Sequence, residues 1–237
     1  MTWTTPPGNV PRLCQDILKQ PHTLISGATG SGKSVLINSI IYTAAHDPPT
    51  QKTFVLIDPK LVELFRFKQL PHTIGYADTI ATVKTALDRV ISTMMHRYRQ
   101  IRQAGGKTWT GSDIYIVIDE LADLVTVDKS IIPPLARIAQ LGRAARIHLL
   151  LATQRPTSAD ILPGVIKVNI DARIALRTPT AQDSRNIIHT NGAELLPRIG
   201  KGYYLTPETI RPVLVDIPLT PENDIDRIIK HWTQQIK

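Results

Sequence analysis

Eight consecutive residues, Gly27-Ala28-Thr29-Gly30-Ser31-Gly32-Lys33-Ser34, carry the G-x-x-x-x-G-K-[ST] spacing of a phosphate-binding loop. Glycines at these positions let the backbone fold back so that several N–H groups converge on an anion. Lys33 would bring a positive charge to the β/γ bridge of a nucleoside triphosphate, and the Ser34 hydroxyl is a hard oxygen donor suited to Mg²⁺. Downstream, the apolar run Ile114-Tyr115-Ile116-Val117-Ile118 ends in two carboxylates, Asp119 and Glu120. In that position Asp119 would hold the Mg²⁺, directly or through water, and Glu120 would activate the attacking water. The two segments together predict a protein that binds and hydrolyses a nucleoside triphosphate.

Such chemistry needs a strand, a glycine loop and a helix N-terminus in succession, so that backbone N–H groups and the helix dipole face the phosphate. His22–Ser26 reads as the strand, and Val35 opens an apolar helix-like stretch to Ile41. Further strand candidates are 53–58, 114–119, 147–153 and 172–176, several of them separated by helix-like segments. This alternation predicts an α/β fold with a mainly parallel central sheet flanked by helices. Ligands of such sheets bind at the carboxyl ends of the strands. That places Gly27–Ser34, Asp58-Pro59-Lys60, Asp119-Glu120 and Thr153-Gln154-Arg155 on one rim.

The strongest helix signal runs from about Thr79 to Ala104. Ile80, Val83, Leu87, Val90, Met94, Tyr98 and Ile101 recur every three or four residues, as core residues do. Asp78 or Thr79 caps its start and Gly105-Gly106 ends it. The loop that follows carries Lys107 and Trp109, and either grips a strand of nucleic acid as a mobile tip or connects two elements. A second helix begins at Pro133-Pro134 and runs through Arg143. Residues 203–205 and 213–216 read as a short closing hairpin, and 223–235 as a C-terminal helix. Residues 1–21, rich in proline, read as a leader that docks on a single domain spanning 22–237.

Length, at 237 residues, is ample for one core, and 42% hydrophobic content is ordinary for a globular protein. The lone Cys14 leaves no internal disulfide, as fits a reducing cytoplasm. No apolar run is long enough to span a bilayer, so membrane contact would need a partner protein or a segment absent from this chain. The seven histidines lack metal-ligand spacing, which argues against zinc. The net charge of +8 invites a polyanion. Lys84, Arg89, Arg97, Arg99, Arg102 and Lys107 face only Asp88 between residues 82 and 107, and Lys129, Arg137, Arg143, Arg146 and Arg155 stand in a stretch without acids. Solvated helix faces account for part of this surplus, and the rest points towards nucleic acid.

Ser26–Asn38, Leu56–Leu64, Ile116–Leu124 and Ile138–Pro156 resemble, in order, the motifs of the motor domain of FtsK/SpoIIIE-type DNA translocases. Segments 166–174, 183–188 and 192–194 continue the likeness, which covers roughly residues 11–216. The resemblance implies a RecA-like P-loop ATPase that assembles as a hexameric ring around double-stranded DNA and moves it. It implies further that Gly27 to Val35, with Lys33, hold the nucleotide, that Ser34 and Asp119 support Mg²⁺, and that Glu120 is the catalytic base. Gln154 is similar to the polar sensor of the γ-phosphate. Arg143 occupies the position of an arginine finger that reaches a neighbour's ATP, with Arg173 a weaker candidate. Arg102, Lys107 and Lys167 are the expected DNA contacts. Asp58 and Lys60 match a family motif and would either couple the site to DNA-contacting loops or pair with each other.

Two departures stand out. The stretch before Ile114 is shorter than in division-associated members, and Leu141-Gly142-Arg143-Ala144-Ala145-Arg146 replaces the more usual K-A-R-A-A-G. The missing membrane anchor and winged-helix module suggest a stand-alone motor of a mobile element, or an excised domain. The expected setting is DNA transfer in chromosome segregation or conjugation. The rival is a protein-export motor of the type VII kind, whose ATPase domains are related; a degenerate P-loop scaffold is a third reading, opposed by the presence of Lys33, Asp119 and Glu120.

Overall fold

In the computed structural model, which describes residue 6, residues 8–154 and residues 162–235, eight strands form one sheet ordered β3-β2-β4-β5-β1-β6-β7-β8. They are β1 (His22–Ser26), β2 (Lys52–Ile57), β3 (Thr73–Ala77), β4 (Asp113–Ile118), β5 (Ile147–Thr153), β6 (Ala172–Ala175), β7 (Lys201–Leu205) and β8 (Val213–Asp216). β1 to β6 run parallel to one another, while β7 pairs antiparallel with β6 and forms with β8 an antiparallel hairpin at one edge. Arg155, expected on the phosphate rim, lies outside the described residues.

The strands are apolar on both faces because helices cover both. Ile114, Ile116 and Ile118 join Leu24, Val55, Ile57, Leu149 and Leu151 beneath α3 (Ile80–Gln103), α4 (Leu121–Val127), α5 (Ile132–Leu141) and α6 (Gly164–Lys167). The alternate residues Tyr115 and Val117 join Phe54, Leu56, Ile25 and Leu150 beneath α1 (Arg12–Lys19), α2 (Lys33–Ala44) and α8 (Glu222–Gln234). The last helix, α7 (Ala181–Ile188), packs a smaller cluster around Ile187, Ile188 and Leu196. Trp232 of α8 is fully buried and donates its indole N–H to the Ala45 carbonyl at 2.6 Å, locking the C-terminal helix onto the end of α2.

The proline-rich leader contains α1, whose Cys14, Ile17 and Leu18 are buried against α2. α3 keeps its expected bounds. Thr79 and Thr82 form a reciprocal capping box at its start, and Gly105 follows its end in the left-handed region at φ 63°. Its inner stripe contains Arg97 as well as apolar residues. The guanidinium lies 5.1 Å from the Trp109 ring centroid and donates to the Ala145 carbonyl at 2.7 Å, so this cation is part of the core. Burial pulls its pKa down to about 10. The backbone N–H of Trp109 donates to the Ala144 carbonyl at 2.8 Å, which ties the 105–112 loop down at that residue.

α5 ends at Leu141, two residues before Arg143. The turn needs Gly142: a Cβ there would collide with the Ile138 and Ile147 carbonyl oxygens. Arg146 then pairs with Asp113 through two short contacts, Nε to Oδ1 at 2.6 Å and Nη2 to Oδ2 at 2.5 Å, while His148 contacts the same carboxylate at 3.0 Å. Burial pushes Asp113 up, but its hydrogen bonds with His148 and Arg146 outweigh that and hold it below the usual carboxylate range. β3, which no sequence pattern announced, runs along the sheet edge with Gly75 at its centre.

Candidate nucleotide site

β1 lies between β5 and β6, with Ser26 level with Thr153. β2 and β4 end together at Ile57 and Ile118. The parallel register therefore brings the residues after these strands, Gly27–Ser34, Asp58–Lys60, Asp119-Glu120 and Gln154, to one rim.

Gly30 and Gly32 adopt φ 71° and 99°, which side-chain-bearing residues rarely take, and Gly32 leads into α2. Gly27 is pressed between Ser31 and Leu176, where a Cβ would lie 2.6 Å from Ser31 Oγ and 2.8 Å from Leu176 Cβ. The Ala28 N–H is tied to the Arg177 carbonyl at 2.8 Å, fixing the loop to the end of β6. Thr29 and Gly30 form its exposed crest, while Ser34 and Val35 lie half-buried in the first turn of α2. Lys33 is only 8% exposed and its Nζ donates to the Gly27 and Ala28 carbonyls at 2.6 and 3.1 Å. Burial lowers its pKa, opposed by the facing carboxylates of Glu120 and Asp119. Ser31 Oγ is buried without a protein partner, so the hollow of the loop contains a polar group that a bound anion's oxygen would satisfy.

Asp119 is 8% exposed, and desolvation together with the carboxylates of Glu63, Asp58 and Glu120 raises its pKa to about 6, against the opposing pull of Lys60. Crowded acid oxygens on the same rim as Ser34 make a hard donor set that suits Mg²⁺, which would take its remaining ligands from phosphate and water. Glu120, 3% exposed, is clamped by the end of β5. It accepts from Thr153 Oγ1 at 2.8 Å, from the Gln154 N–H at 3.1 Å to both oxygens, and from the Ala122 N–H at 3.3 Å. Gln154 in turn accepts from Thr29 Oγ1 at 2.5 Å, joining the candidate sensor to the phosphate loop. Sequence spacing contains no sign of the Thr153–Glu120 bond, which spans 33 positions.

Asp58 and Lys60 do not pair with each other through their side chains. Asp58 accepts the backbone N–H groups of Lys60 and Leu64 at 3.3 and 2.9 Å, shaping the 58–64 loop, while Lys60 pairs with Asp123 at 2.9 Å. The Lys60–Asp123 hydrogen bond raises the lysine pKa.

Arg143 lies elsewhere. It precedes β5, whose seven residues separate it from the phosphate rim by about 20 Å. An arginine cannot span that gap to its own loop. Arg102, at the end of α3, and Lys107, in the loop before β4, occupy this same amino-terminal side of the sheet. All three are exposed, and among the described residues none forms an ion pair. Lys167 is half-buried in α6; desolvation and the nearby Arg173 lower its pKa. Arg173 is no free finger. Its guanidinium is 8% exposed, contacts the His189 ring and donates to the carbonyls of Ile170, Ile187 and Lys167. Lys84 pairs with Asp128 at 2.6 Å and Arg146 with Asp113, while Arg97 is buried, so none of the three is a free surface cation.

Comparison with known proteins bears on the family and the fold. DNA translocase SftA of Bacillus subtilis is 38% identical over 238 residues, an alignment covering 93% of this chain and 25% of SftA. The chain spans about a quarter to a third of the length of the curated relatives it matches. Among solved structures, the conjugation coupling protein TcpA of pCW3, in its monomer form with ATPγS, superposes with a TM-score of 0.78 at 23% identity, over 91% of this chain and 66% of that one. The cytoplasmic domain of the type VII secretion ATPase EccC of Thermomonospora curvata gives 0.75 at 26% identity, over 90% of this chain and 28% of that one. The fold is thus that of RecA-like P-loop ATPases. The FtsK/SpoIIIE family profile matches residues 9–116 and 110–158, more than half of the sequence, and the chain belongs to that family.

Proposed function

We propose that this chain is an ATP-dependent motor that translocates double-stranded DNA. The observation that carries the reading is the convergence of Lys33, Asp119, Glu120 and Gln154 on one rim while Arg143 stands at the other end of the same strands. The N–H groups of Gly27–Ser34 and the start of α2 would cradle the phosphates, with Lys33 leaving its loop carbonyls for the β/γ bridge. Ser34 and Asp119 would hold Mg²⁺, which neutralises charge on the β- and γ-phosphates when bound. Glu120, oriented by Thr153 and the Gln154 N–H, would take a proton from the attacking water. Gln154, linked to Thr29, would sense the γ-phosphate.

Arg143 would complete a neighbour's site, where a guanidinium supplied in trans stabilises charge on the transferring phosphoryl group. A hexameric ring is the assembly we infer. Arg102, Lys107 and Lys167 would contact DNA, mainly through its phosphates and so without sequence preference. A motor acting on ATP and on chromosomal or plasmid DNA would work in the cytoplasm, with membrane contact through a partner protein. Among the described residues no helix is long and apolar enough to cross a membrane.

The EccC likeness favours one rival, a protein-export motor. Hydrolysis measured with and without long double-stranded DNA, at low and moderate salt, separates the two. Strong stimulation by DNA that weakens with salt, and that Glu120→Gln abolishes, supports the translocase. Hydrolysis indifferent to DNA refutes it.

A further inference from the structure

The segment 192–200, between α7 and β7, rests on the phosphate loop. It is anchored at both ends: Leu196 is buried with Ile187 and Ile188, the Thr178 N–H bonds the Ala193 carbonyl at 3.2 Å, and the Ile217 N–H bonds the Gly200 carbonyl at 3.0 Å. Gly192 and Gly200, at φ 127° and 91°, turn the chain on either side. Between these anchors Arg198 and Ile199 project over the loop glycines. A Cβ on Gly30 would lie 3.2 Å from Arg198 Nη2 and 3.6 Å from its Nε, and a Cβ on Gly32 would lie 3.8 Å from Ile199 Cγ2. The guanidinium therefore lies against the crest of the loop, beside a glycine whose positive φ other residues rarely adopt.

A long, exposed arginine is ordinarily found with an acid or with solvent around a mobile head. Here Arg198 has neither an ion pair nor a hydrogen bond among the described residues, although its backbone is fixed. Its Nη2 and Nε donors lie against the loop whose own N–H groups are arranged for an anion. We propose that Arg198 is a nucleotide-binding residue acting in cis, its guanidinium donating to the polyphosphate from the lip of the loop opposite Lys33. The proposal rests on the nucleotide reading of the Gly27–Ser34 loop. It assigns to this chain a second cation at the phosphates, on an element that follows the sheet's last parallel strand, and it needs no neighbouring subunit. Planar, bidentate donation to phosphate is a task for which lysine is a poor substitute.

Calorimetric titration of the full chain with Mg²⁺ and either ATPγS or ADP tests this, using wild type, Arg198→Ala, Arg198→Lys, Arg198→Glu and Lys33→Ala. Removing a charge-assisted contact of this kind is expected to raise Kd for both nucleotides about tenfold. Arg198→Lys should recover part of the loss, Arg198→Glu should exceed it, and the wild-type advantage should shrink as salt rises. Each variant's melting temperature should stay near wild type, because the side chain is exposed. If Lys33→Ala abolishes binding while all three Arg198 variants remain within twofold of wild type, Arg198 is not a ligand and the nucleotide site stands. If Lys33→Ala also binds as wild type does, the nucleotide reading fails with it.

Discussion

Arg143 gives the sharpest test, because its own strand keeps it about 20 Å from its own phosphate loop. Arginine reaches roughly a third of that distance, so Arg143 and Glu120 of one chain cannot act on the same nucleotide. On the proposed finger role, a complete site would then draw Glu120 from one subunit and Arg143 from the next. Arg143→Ala alone should lower the hydrolysis rate about 10³-fold, the lower end for loss of a trans finger. Glu120→Gln alone should abolish hydrolysis as well. Mixed in equal amounts, the two inactive proteins regenerate intact sites wherever an Arg143→Ala subunit, which keeps Glu120, is followed by a Glu120→Gln subunit, which keeps Arg143. Random head-to-tail assembly makes that arrangement about one interface in four. Steady-state hydrolysis on long DNA should therefore recover to roughly a quarter of wild type, less if subunits fire in strict order. Varying the mixing ratio should give a maximum at equal proportions. Activity of the mixture no higher than the sum of its parts at every ratio would refute assembly of the site across subunits, and near-normal hydrolysis by Arg143→Ala alone would remove the finger.

Other consequences follow from the same contacts. Thr153→Val removes the hydroxyl that holds Glu120 at 2.8 Å and leaves the backbone donors, so kcat should fall about 10- to 100-fold with KM within about twofold, measured by steady-state hydrolysis. Gly142→Ala forces a methyl against two carbonyl oxygens and should cost about 1–3 kcal/mol in urea unfolding. Asp113→Asn removes the charge and one of the two acceptor oxygens facing Arg146 and His148, and should cost about 2–3 kcal/mol at pH 7. Because the folded state lowers the Asp113 pKa, this contribution is complete above its ordinary value of 3.8 and is lost as pH falls below it. Urea midpoints of wild type and variant should accordingly converge only below about pH 4, and convergence near pH 6 would contradict the assignment.

What the sequence disclosed was local, and the reason is covalent. The phosphate loop is eight adjacent residues whose backbone conformations make the site, so Gly30 and Gly32 state their positive φ angles by being glycine. The 24 residues of α3 show their buried stripe because one helical period governs them all. β3 escaped since an exposed edge strand with a central glycine has neither a full apolar run nor clean alternation. α1 escaped because eight residues between prolines show barely two turns, and burial of Cys14, Ile17 and Leu18 depends on α2 being there. The cation count misled in a more instructive way. Arg97 recurs on the inner face of α3, but nothing nearby in the chain says that Trp109 and the Ala145 carbonyl will enclose it. The same holds within the site. Thr153 and Glu120 lie 33 positions apart, and Arg198 is separated from Gly30 by most of the sheet. Neither pairing is encoded by spacing: the first follows from the parallel register of β4 and β5, the second from the anchoring of 192–200 ahead of the antiparallel β7. Residue types therefore announced which chemistry is available, whereas strand register decides which groups orient it. Changes at Thr153 or Arg198 should accordingly alter the rate and affinity of the site while leaving every recognisable motif intact.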